Sequence, residues 1–160
     1  MNWSGWLLWG FVGTVVLTTL MAGSQGMRLT RMNLPYMLGT VFTARRDRAK
    51  AIGFALHLVN GWIFALIYVA VFNSWGRATW WLGGAIGLVH GLFVLTAGMR
   101  LIPGIHPRMA SETQGPNAVR QLEPPGFLAL NYGVQTPISV LAAHILFGAI
   151  LGAFYTVRAG

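Results

Sequence analysis

Residues Ala51 to Phe72 read AIGFALHLVNGWIFALIYVAVF, twenty-two residues without a formal charge. As a helix, a stretch of that length crosses the ~30 Å hydrocarbon core of a bilayer. One residue inside it can ionise, His57. Helical steps from His57 reach Gly61, Ala65 and Tyr68, which therefore share one face. The same series returns near the C-terminus as His144, Gly148, Gly152 and Tyr155.

Three further runs are apolar enough to cross: Trp6 to Ala22 (or on to Met27), Trp80 to Met99, and Pro137 to Val157. The expectation is an all-α polytopic membrane protein, one domain over residues 1–160, with spans near 6–26, 51–72, 79–99 and 137–157. Charged residues make up only 9% of the chain, against ~25% in ordinary soluble domains. The first run is not read as a removable signal peptide: no Lys or Arg precedes it, and no small-x-small site surrounds Gly23. There is no cysteine, which excludes disulfides, thiolate metal sites and thiol catalysis.

The net charge of +8 is unevenly placed. Arg28, Arg31, Arg45, Arg46, Arg48 and Lys50 lie between the first two runs, and Arg100, Arg108 and Arg120 between the last two. Arg77 and Arg158 alone fall on the other side. Nine against two is a positive-inside pattern rather than a nucleic-acid surface. It puts both long loops in the cytoplasm and both termini outside, as in a bacterial inner membrane. The six basic residues of the first loop are expected to meet anionic lipid head groups. Trp3, Trp6, Trp9, Trp75, Trp80 and Trp81 cluster at the opposite interface.

In the first loop Asn33-Leu34-Pro35 signals a helix start, and its Met/Leu/Arg mixture suggests a short helix lying on the inner leaflet. The second loop, Arg100 to Thr136, carries five prolines, which argue against a continuous helix there. Its apolar content suggests an ordered cap under the bundle. The short connection Asn73 to Thr79 predicts a tight hairpin of spans two and three.

FALHLVNGWIFALIY around His57 aligns with LAAHILFGAILGAFY around His144, and Trp6 to Gly13 aligns with Trp80 to Gly87. The chain thus reads as a tandem duplication of a two-helix unit, 1–75 and 76–160, with both units in the same orientation. At 1.5 Å per residue His57 and His144 both lie ~9–10 Å in from the loop end, facing each other across the bundle. His90 is a candidate third member, nearer the midplane. His106 is expected to be solvated or to tether its loop.

With Gly10, Gly13, Gly84, Gly87 and Gly91 on the first and third spans, this pattern resembles the four-helix haem core of b-type cytochromes. The resemblance implies haem b held by His57 and His144, with the glycines making room for the porphyrin. Each ligating helix here has one histidine, where the respiratory family has two, so one haem is the most it could hold. The chain also resembles small four-span bacterial membrane proteins, a likeness that implies no mechanism. Against the haem reading stand plain packing through the glycine faces with interhelical hydrogen bonds from the imidazoles, another ligand or metal, and transport.

No Asp or Glu lies in any span, and no HExxH, GxSxG or phosphate-cradling loop is present. Catalysis is not expected on this inventory. The expected role is an accessory or structural subunit, or a homo-oligomer packed through glycine faces; a single-haem cytochrome and a small transporter or pore are the alternatives.

Overall fold

The computed structural model describes residues 1–111 and 113–157; Glu112 and Arg158 lie outside the described residues. The chain is an all-α polytopic membrane protein with four helices long and apolar enough to span a bilayer: Trp3–Gly26, Arg46–Ser74, Trp80–Ile105 and Thr136–Phe154. We label the elements α1 (Trp3–Gly26), α2 (Leu34–Thr40), α3 (Arg46–Ser74), α4 (Trp80–Phe93), α5 (Met99–Ile105) and α6 (Thr136–Phe154). A π turn, Val94–Gly98, joins α4 to α5 in one rod, and a 3-10 segment, Phe127–Tyr132, precedes α6. Among the described residues there is no strand, only an isolated bridge between Met109 and Leu122.

Local chemistry sets the ends. Asn2 caps α1 by accepting from the Gly5 N–H, Asn33 caps α2 from Tyr36, and Thr79 caps α4 from Leu82. The Asn33 start is where the sequence puts it. The third span runs further than expected. It continues past Met99 to Ile105 with Pro103 inside α5. Pro103 has no N–H to give to a carbonyl one turn back, and the helix ends two residues after it. The second span likewise begins at Arg46 instead of Ala51, because charged side chains in the first turn project into head groups while the backbone is already helical.

α6 is the hub. It packs on α4, on α1 and, more lightly, on α3; α1 also packs on α3, and α2 lies across the start of α3. The expected tight hairpin of spans two and three does not form: α3 and α4 barely meet along their backbones. The glycine face of α4 is spent on α6, and the rings of Phe64, Tyr68 and His90 fill the gap. A Cβ on Gly83 would run into the Gly148 carbonyl, one on Gly87 into the His144 carbonyl, and one on Gly152 into the Thr79 carbonyl. Only glycine permits backbones that close.

In both halves the small positions of the second helix face the first helix. Gly61 and Ala65 meet Thr14 and Gly10; Gly148 and Gly152 meet Gly83 and Thr79.

Two cores result. One, towards the termini, holds Leu17, Tyr68, Phe72, Phe147, Leu151 and Tyr155. The other, at the loop end, is built from Met32, Met37, Leu95, Met99, Met109 and Ala129 with Tyr132 and Val140. Met109, Ala129 and Tyr132 thus pack the second loop under the bundle as a cap. Its backbone turns through left-handed φ at Leu128 and Ala129, between Gly126 and Gly133. The outer surface carries Leu7, Phe11, Ile63, Ile67, Val89, Phe93 and Ile138, all exposed, as lipid-facing side chains should be.

Candidate functional site: an intramembrane histidine chamber

Three of the four histidines meet inside the bundle. His57 comes from α3, His90 from α4 and His144 from α6. All three line a cavity of about 60 Å³ with Thr14, Asn60 and Phe147. His57 and His144 also line a larger cavity of about 240 Å³ that opens toward the loop end. The two imidazoles are each 8% exposed. They point inward, as the sequence suggests, since an imidazole against hydrocarbon finds no partner.

The His90 and His144 rings meet edge to face, 4.7 Å between centroids. His90 stacks on Phe64 at 4.1 Å, and its Nδ1 shares a proton with the Tyr68 hydroxyl at 3.0 Å. His144 Nδ1 donates to the Val140 carbonyl at 2.8 Å, one helical turn back. A carbonyl only accepts, so this bond assigns the His144 proton to Nδ1 and leaves Nε2 as a lone pair. His57 Nδ1 is the one buried side-chain nitrogen or oxygen, among the described residues, with no partner.

The larger cavity lies between α1 and α3. Leu17, Met21, Phe54, Val94 and Val140 make apolar walls, while Gln25, Asn33 and Lys50 stand near its mouth. Above it, α1 and α3 are locked together where Thr14 fills the space left by Gly61. Beyond that lock the terminal core closes the chamber, so the cavity is blind. Val94, the first residue of the π turn, lines both cavities. π turns recur at functional sites because they rotate the helix face.

The glycines expected to make room for a porphyrin are already filled. Gly10 is covered by Trp62 and Ala65, Gly13 by Phe147, Gly87 by the α6 backbone and Gly91 by Leu141 and His144. Gly84 has Ile145 at ordinary contact distance. The residues as placed do not fit a tetrapyrrole plate. No cluster of three His, Asp or Glu with metal-holding geometry occurs among the described residues.

The basic residues divide. Arg28, Arg45, Arg46, Arg48 and Lys50 are exposed at the loop end. Arg31 is engaged: it pairs with Glu123 at 3.0 Å and also donates to the Asn131 carbonyl, tying the two loops together. Arg108 donates from Nε to the Thr40 carbonyl at 2.8 Å, and Arg120 donates to the Met109 carbonyl at 3.0 Å. His106 is the buried tether of its loop, bonded through Nε2 to the Met37 carbonyl at 3.0 Å and accepting at Nδ1 from the Arg108 N–H.

Asn60 and Thr14 join the chamber without having been singled out as site residues. The available signal was Asn60 itself, an amide one turn after His57 inside a span. No protein-family model, curated protein or solved structure matches the chain.

Proposed function

We propose that this integral membrane protein binds a small, mostly apolar molecule in the histidine chamber and makes or breaks no covalent bonds itself, acting as a binding or accessory subunit of a bacterial inner membrane. One observation carries the reading. His57 and His144 place two polar rings in an apolar interior beside an open cavity that both of them line. Such groups cost free energy unless something completes them.

The nine-to-two distribution of Lys and Arg supports the orientation with both long loops in the cytoplasm. The exposed cluster at the start of α3 suits anionic lipid head groups. Because Gly83, Gly87, Gly148 and Gly152 are used within the bundle, a homo-oligomer or a larger complex would join through outer apolar side chains. A pore gains no support from a cavity that is closed at one end.

The test is thermal. Extracted membrane lipids, added to the purified protein in detergent, should raise its melting temperature. A ligand at 100 times its Kd stabilises by about 2.7 kcal/mol, which is about 5–10 °C for a chain of this size. The variant Ala22→Phe, which grows a side chain into the mouth of the cavity, should show no rise. Equal shifts in both proteins, or none in either, would count against the proposal.

A further inference from the structure

We infer that the head group taken by the chamber is a phenol or quinol, an aromatic ring bearing a hydroxyl, whose tail leaves sideways between α1 and α3 into the lipid. This rests on the ligand-binding reading above.

The polarity of the two histidines makes the choice. His144 Nε2 is a lone pair, because its Nδ1 proton is committed to the Val140 carbonyl. His57 Nδ1 is enclosed and has no acceptor. Nδ1 is unpaired in either tautomer, and an orphaned buried N–H is the rarer of the two, so the proton is placed on Nε2, the nitrogen that is not sealed off. The cavity lined by both residues therefore offers one donor and one acceptor. A hydroxyl answers both at once. A ketone or an ether only accepts, and an ammonium only donates.

Size and walls narrow the class further. A cavity of about 150 Å³ holds one benzene ring, so 240 Å³ suits a substituted ring and not a whole phospholipid. The sulfur of Met21 and the ring of Phe54 are good neighbours for an aromatic face. The way out is set by the helices. Thr14 against Gly61 closes the upper end of the α1–α3 interval, whereas Ala22, Phe54 and Lys50, all exposed, frame the lower opening.

The test uses the full-length protein in phosphatidylethanolamine/phosphatidylglycerol nanodiscs, titrated under argon with a decyl-substituted hydroquinone, the corresponding quinone and its dimethyl ether. Empty nanodiscs supply the background. The hydroquinone is expected to bind at least ten-fold more tightly than the other two. His57→Ala and His144→Ala should each remove that preference, and Ala22→Phe should block all three ligands.

Equal binding of the three, still blocked by Ala22→Phe, would overturn the hydroxyl assignment and leave the cavity as a ligand site. Failure of all three to bind, or indifference to Ala22→Phe, would overturn both. A tail-less hydroquinone binding as tightly as the decyl compound would overturn the sideways route from the membrane. The preference is read on the wild-type protein, so it stands even if a histidine variant fails to fold.

Discussion

The four histidines have two kinds of work. His106 is a structural clamp, with both ring nitrogens bonded to backbone across two loops. His57, His90 and His144 share an apolar chamber in which only some nitrogens are satisfied. The inward faces of His57 and His144 were legible from their repeated i, i+4 series of small residues. The direct meeting of His90 with His144 was not, because a sequence gives the face of one helix and not the rotation of its neighbour. Tyr132 behaves differently from these groups. Burial and the nearby Glu123 push its hydroxyl up to about 12, with Arg31 opposing, and it donates to the Glu123 carbonyl at 2.6 Å. A tyrosine pKa raised in the folded state adds stability that is complete below the unfolded value near 10 and is lost as pH climbs to about 12. Melting followed from pH 9 to 12 should show the loss in the wild type. Tyr132→Phe should be less stable at pH 9 and fall less steeply above pH 10.

The helices are held at fixed separations by single missing side chains. Gly87→Ala puts a Cβ into the His144 carbonyl, which is backbone and not the far end of a flexible side chain. It should cost about 3 kcal/mol or more, at the upper end of overpacking effects. Gly23→Ala, in α1 with nothing near the new atom, should be neutral or stabilise by about 0.5–1 kcal/mol. Unfolding in mixed micelles measures both, and equal effects would count against the close α4–α6 contact. The four spans and the Asn33 helix start were legible from apolar length and cap chemistry. The extension to Ile105 was hidden, since Pro103 is a breaker by type, yet the helix runs two residues past it. The glycines were recognised as special, but the choice between tight packing and a cofactor slot depends on what faces them.

The arrangement of the whole chain follows from α6 standing at the centre. Spans two and three, joined by a short connection, were expected to pack as neighbours, yet the α4 glycines draw that helix to α6 instead. Orientation is open to a direct check because the chain has no cysteine of its own. Single cysteines at Ser4 and Ser74, both exposed near the terminal end, should react with an impermeant reagent on intact cells. One at Gly115, in the exposed part of the second loop, should react only after lysis. The reverse pattern would invert the orientation.

The most direct test of the chamber is an experimental density map of the protein purified from its native membrane. It should show His57, His90 and His144 converging between α1, α3, α4 and α6, with non-protein density in the cavity in contact with His57 and His144. Imidazoles turned outward to lipid, or a collapsed interval in which Leu17, Met21 and Phe54 fill the space and the two rings bond each other, would contradict it.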